Sequence, residues 1–307
     1  MKKSSKLKQY KQHVPLYLMM LPGFLYLLVN NYIPMAGIII AFKKLNFKLG
    51  ILASPWTGLE NFKFLFMSKD AWLITRNTLL YNAAFIIVNM VVGIGIALLI
   101  CEVRSKTMKK VYQSAILLPF LMSMVIMSYI VYALLSSENG LVNNSILKAF
   151  NMEAIQWYQQ PKYWPFILVI TNCWKGVGYG CLIYIATIIG IDPSYYEAAR
   201  LDGATKWQEI KTITLPCLIP TIITLLLLSI GRIFYSDFGL FYQVPMNSGV
   251  LFPTTNVIDT YVYRALIERG NISMSSAAGV YQSVVGFAVV LLSNWIVRRV
   301  DKERALF

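Results

Sequence analysis

The chain of 307 residues is 57% hydrophobic and 14% charged, with 28 Lys and Arg, 14 Asp and Glu, and a single histidine, His13. Soluble domains carry roughly 25% charged residues, so this balance excludes an ordinary water-soluble enzyme, and the same hydrophobicity excludes disorder. The net charge of +14 fits basic residues flanking membrane spans on the cytoplasmic side, which accounts for it without nucleic acid.

A spanning helix takes about 20 apolar residues. Residues 14–42 hold no charge, and Pro22, Pro34 and the Asn30–Asn31 pair predict a kinked or two-part first span. The basic residues at 2–11 precede it as in a signal peptide. The run is too long for one and no small-residue cleavage site follows, so it reads as an uncleaved helix. Residues 77–101 and 111–137 are likewise uncharged, 163–191 is interrupted only by Lys175, 212–231 is entered through Pro216 and Pro220, and 277–297 is the last. The expected fold is an all-α membrane protein of six transmembrane helices forming one domain over residues 1–307. With both termini inside, the cytoplasmic segments 1–13, 102–110, 192–211 and 298–307 hold 16 Lys and Arg in 52 residues. The outer loops 43–76, 138–162 and 236–270 hold 10 in 94. That asymmetry sets the orientation.

Phosphate-loop, dinucleotide, zinc-protease and nucleophile-elbow motifs do not occur in the sequence. One histidine in a basic tail cannot build a triad within the membrane, so no residue is assigned as catalytic. Cys101, Cys173, Cys181 and Cys217 form no CxxC pair and lie in or beside apolar runs, which predicts apolar fillers rather than metal ligands. A transporter subunit or channel is favoured over an enzyme.

The segment 192–216 is too polar to span. Asp192 is placed to cap a helix whose first residue is Pro193, Gly203 suits the left-handed residue that ends it, and Thr205 with Gln208 reads as a capping box opening a second helix toward a kink at Pro216. Glu197 and Arg200 are spaced to pair locally. The expected result is a helix–turn–helix lying at the cytoplasmic membrane face.

Glu197, Ala198 and Ala199, then Gly203, Ile213, Leu215 and Pro216 resemble the EAA signature of ABC importer permeases at every position. Leu21-Pro22-Gly23, Tyr32-Ile33-Pro34, Ser54-Pro55-Trp56-Thr57-Gly58 and Arg76-Asn77-Thr78 are similar to the carbohydrate branch, and within it to LplB-type oligosaccharide permeases. So are Trp174 to Gly178, Val257 to Arg264 and Gln282 to Gly286. The resemblance covers nearly the whole chain and implies the type I importer fold. It implies a carbohydrate substrate and three kinds of partner: a cytoplasmic ATPase dimer, a second homologous permease and an extracytoplasmic sugar-binding protein. ATP and Mg would bind the ATPase, with no cofactor on this chain, and the location would be the bacterial cell membrane. Tyr196, Glu197, Ala198, Ala199, Arg200, Asp202, Gly203 and Ala204 would form the coupling helix that docks the ATPase.

Two groups of residues suit a sugar path. Trp174 and Lys175 sit deep in the fourth run. Arg232, Tyr235, Asp237 and Phe238 cluster at the outer end of the fifth, beside Phe234, Phe241 and Tyr242. Aromatic faces and polar groups match the C–H faces and hydroxyls of sugars, and equally form an interfacial belt. Lys175 either lines the path or an interface, or pairs with a backbone carbonyl. An importer of peptides or amino acids is the nearest alternative, since such permeases carry EAA-like loops. A carrier or channel without an ATPase is the other, against which stand the EAA loop and the lack of inverted repeats.

Overall fold

The computed structural model describes residues 3–300 apart from 64–66 and 68. Residues 1, 2 and 301–307, which carry part of the expected basic flanks, lie outside the described residues. Among the described residues no β-strand occurs, and a lone antiparallel bridge joins Lys43 to Trp56.

Helix α1 (Lys3–Leu27) continues through a π turn at Leu28–Tyr32 to a 3-10 helix at Ala36–Phe42, one continuous helical run whose turn type changes at the Asn pair. Residues 13–36 are exposed on every side. Apolar exposure is uncostly in lipid but not in water, so this helix alone argues for a bilayer. Then come α2 (Lys69–Glu102), α3 (Lys106–Leu121) and α4 (Met124–Leu135), and after an outer loop α5 (Trp164–Ile189). The cytoplasmic loop holds α6 (Pro193–Leu201) and α7 (Lys206–Glu209). Helix α8 (Leu215–Ile230), the outer helices α9 (Phe238–Gln243) and α10 (Ile258–Ile267), and α11 (Ile272–Val300) complete the body.

Among the described residues five helical segments are long and apolar enough to cross a membrane, and α3 with α4, taken as one span broken by a 99° bend, makes the sixth. The uncharged run 111–137 therefore differs from an unbroken helix. Pro119 removes a hydrogen bond near the end of α3, and Ser123 Oγ accepts from Ile126 N (3.3 Å) to start α4 anew. Just before Pro216, where the sequence predicts a kink, α7 passes through a π turn at Ile210–Thr214 into α8, and wider turns of this kind accommodate a proline's missing donor.

The body closes around α2 and α5, which pack along each other. Toward the outer side a core gathers Tyr81, Phe85, Trp164, Leu168, Leu240 and Phe241; toward the cytoplasm another gathers Ala97, Ile100, Cys181, Tyr184 and Leu218. Helix α5 meets α3 at Gly178, where an added Cβ would lie 2.3 Å from the Ile116 carbonyl oxygen. The outer loops are fastened to the spans by buried polar residues. Asn77 donates to the Asn256 carbonyl (3.0 Å), Thr78 Oγ1 accepts from Ile258 N (3.1 Å), and Leu45 N donates to Ser273 Oγ (3.0 Å).

Candidate functional site

The cytoplasmic loop is built from local signals that the sequence states openly. Asp192 Oδ1 accepts from Ser194 N (2.9 Å), and that N–H holds its carboxyl below the usual carboxylate range. Pro193 occupies the first helical position, where a missing donor does no harm. At the other end of α6, Gly203 has φ +79°, Gly203 N donates to Arg200 O (3.1 Å) and Ala204 N to Ala199 O (2.9 Å). These two bonds define a Schellman ending, which satisfies carbonyls the helix would otherwise leave open. Thr205 and Gln208 then form the expected capping box.

The loop is tied down by charges the sequence reading paired differently. Arg200 bonds Glu209 (2.8 Å) across the turn rather than its neighbour Glu197. Lys206 bonds both Glu209 (3.1 Å) and Glu102 at the end of α2 (3.3 Å). Glu209 is buried between its two cations, which is how a carboxylate is kept out of water. Tyr196 OH shares a hydrogen bond with Thr214 (2.9 Å), so α6 is fixed to the root of α8. Glu197, Ala198, Asp202 and Gly203 remain exposed, and so do the apolar or aromatic side chains of Tyr195, Leu201 and Trp207. Leu201 is 89% exposed and Trp207 69%. The sequence reading passed over both, although an apolar residue beside the turn of a polar loop is the available signal.

A second site lies within the membrane body. A cavity of about 680 Å³ is lined by α2, α5, α8 and the turn after α8, with Asn82, Asn89, Asn172, Tyr179, Ser229, Arg232, Tyr235, Ser236 and Asp237 among its polar and aromatic groups. Asn89 donates to Asn172 Oδ1 (2.8 Å), and Asn89 Oδ1 is buried without a protein donor among the described residues. Arg232 brings a cation to this wall. Asp237 brings a carboxylate, whose Oδ1 accepts from Leu240 N (3.1 Å) and caps α9.

Of the expected path residues, Arg232, Tyr235 and Asp237 meet at this cavity and three others do not. Trp174 is two residues from Asn172, about 200° around the helix, and its side chain faces away from the lining. Lys175 reaches sideways to the break in the third span and donates to the carbonyls of Phe120 (3.1 Å) and Met122 (2.5 Å). That is the carbonyl pairing the sequence left as one alternative. The Phe238 ring packs on Tyr242 (4.9 Å) and Tyr263 (4.7 Å) outside the cavity. Sequence reasoning missed Asn82, Asn89 and Asn172; the available signal was amide side chains in otherwise apolar spans.

The irregular stretch 231–237 that carries Arg232, Tyr235, Ser236 and Asp237 is held from three directions. Asn82 donates to the Ile233 carbonyl (2.8 Å), Gln282 of α11 donates to the Phe234 carbonyl, and Asp259 of α10 accepts from Ser236 N (2.8 Å). Gln282 also donates to Asp259 (3.1 Å). Burial pushes the Asp259 carboxyl up from its ordinary value, opposed by the Ser236 N–H and the Gln282 amide.

Comparisons with known proteins agree on one kind of molecule. Residues 89–302 match the family described as binding-protein-dependent transport system inner membrane component. The chain is 36% identical to the polygalacturonan/rhamnogalacturonan transport system permease protein YteP of Bacillus subtilis (strain 168), over 94% of this chain and 89% of that protein. It is 33% identical to Protein LplB of the same strain, over 94% and 90%. Two crystal structures of a bacterial alginate ABC transporter share its fold at 34% identity. One, of a transporter involved in the import of that acidic polysaccharide, gives a TM-score of 0.88 over 97% of this chain and 99% of the matched one. The other, in complex with an alginate pentasaccharide-bound periplasmic protein, gives 0.87 over 96% and 98%.

Proposed function

The chain belongs to the family of binding-protein-dependent transport system inner membrane components, and from that premise we infer how its two sites serve an importer. It is the multi-pass permease subunit of an ATP-driven ABC importer in the bacterial cell membrane, passing a carbohydrate, of oligosaccharide size, into the cytoplasm. It is not itself an enzyme, and it works with a separate ATPase, a second permease and an external sugar-binding protein. ATP and Mg are assigned to the ATPase, and the chain is read as a single membrane domain.

The observation that carries the assignment of roles is the placement of α8. Its inner end is rooted in the loop through Tyr196–Thr214 and the π turn, and its outer end opens into the turn that lines the cavity. One helix therefore joins the face where an ATPase would press to the wall a sugar would pass. We assign Tyr196, Glu197, Ala198, Ala199, Arg200, Asp202, Gly203 and Ala204 to ATPase docking, with Leu201 and Trp207 as the apolar contacts. We assign Arg232, Tyr235 and Asp237 to the sugar path. A cavity with a few fixed polar groups replaces the water hydrogen bonds a sugar gives up on leaving solvent. Trp174, Lys175 and Phe238, which do not line the cavity, are left out of this assignment.

Gly203→Val tests the docking role. A β-branched residue at φ +79° costs about 1–2 kcal/mol locally and unseats the Schellman ending. The expected outcome is a complex that assembles in the membrane, with sugar uptake and substrate-stimulated ATP hydrolysis lowered together. Full stimulated hydrolysis in an assembled Gly203→Val complex would overturn the assignment.

A further inference from the structure

The turn after α8 is non-helical backbone, and wherever it is shielded from water its carbonyls and N–H groups need partners. Its partners come from three elements far apart in sequence. The carbonyl of Ile233 is taken by Asn82 of α2, that of Phe234 by Gln282 of α11, and the N–H of Ser236 by Asp259 of α10. Gln282 divides its two hydrogens between Phe234 and the Asp259 carboxylate (3.1 and 3.2 Å), so two of the three holders brace each other. Gln282 is 5% exposed. Phe234 and Tyr235 lie against α11 near Gly286, one turn on, where an added Cβ would sit at ordinary contact distance, 3.6 Å from Phe234 Cβ and 4.0 Å from Tyr235 Cε2. Arg232, Tyr235, Ser236 and Asp237 all line the cavity from this one short stretch. A guanidinium and a phenol ring on loose backbone would present no fixed pattern to a sugar, whereas residues on braced backbone do.

Resting on the reading of the cavity as a sugar path, we infer that Asn82, Asp259 and Gln282 form a clamp that fixes the 231–237 turn as a rigid rim. Gln282 and Asp259 are positioning residues for cargo passage: they act through the backbone and touch no sugar. Asn82 holds the same backbone while also facing the cavity.

The clamp is tested on the complete importer in lipid, with a nitroxide label on Tyr235→Cys as the rim probe and one on Tyr179→Cys on the facing wall as control, in a background lacking the native cysteines. The unaltered clamp gives an immobilised rim spectrum. Gln282→Leu and Asp259→Leu are expected to abolish that immobilised component at position 235 and leave the spectrum at 179 unchanged. Asp259→Asn, which keeps an acceptor for Ser236 N, is expected to retain it. In unlabelled complexes Gln282→Leu should leave basal ATP hydrolysis as it was. The clamp is overturned if neither leucine variant frees the label, if Asp259→Asn frees it as fully as Asp259→Leu, or if basal hydrolysis collapses with it. The last outcome would make these residues general supports of the fold. None of these readouts depends on which molecule is carried, so a failed clamp is distinguishable from a failed transport assignment.

Discussion

Gly178 shows what one missing methyl group secures. Helix α5 crosses α3 so closely that a side chain at this position would meet the Ile116 carbonyl oxygen, which is backbone and cannot rotate away. Gly178→Ala should force the two helices apart at a cost of about 1–3 kcal/mol, seen as a lower Tm of the purified complex. An unchanged Tm would show that the crossing is loose. At this scale the sequence was legible wherever the signal is local. Asp192, Gly203 and the Thr205–Gln208 pair are recognisable because each satisfies backbone within three or four residues. Trp174 was not: its distance from lipid or cavity depends on how α5 is rotated against α2 and α8, and no neighbour in sequence records that rotation. Arg200 was misjudged for the same reason, since its partner Glu209 lies beyond the turn.

Among the elements, the broken third span shows how composition and geometry part. Residues 111–137 have the length and hydrophobicity of one helix, while Pro119 and Ser123 end one helix and begin the next. The carbonyls left open at the break are met by Lys175, a cation at a helix C-terminus where the helix dipole favours positive charge. Lys175→Met should therefore destabilise the span, since a carbonyl left without a donor away from water costs about 1–3 kcal/mol. Lys175→Arg should retain most of the stability. Thermal unfolding of the two variants decides the matter. Equal Tm values for Met and the parent would mean that the break needs no donor.

For the whole molecule, orientation is the property most fully written in the chain, because it depends on summed charge rather than on any contact. A lone cysteine in place of Ser194 should resist an impermeant thiol reagent on intact cells, and one in place of Ser248 should react. Ready labelling at position 194 would invert the topology. The six-span count was legible from apolar length. The cavity was only half legible: Arg232, Tyr235 and Asp237 fall in one short stretch, whereas Asn89 and Asn172 are 83 residues apart and come together only when α2 and α5 pack.

The arrangement of the first span has a consequence in time. Its residues 13–36 are exposed, and its outer end, Ala36–Phe42, packs against α11, with Leu45 N bonded to Ser273 Oγ 228 residues later. At a synthesis rate of roughly 5–20 residues per second, the first helix waits on the order of 10–45 seconds for the last to be made. Throughout that interval the contacts that α11 supplies to its outer end are missing. The permease is therefore closed by its first and last spans, and a product released before α11 is made lacks the contacts that hold the outer end of the first.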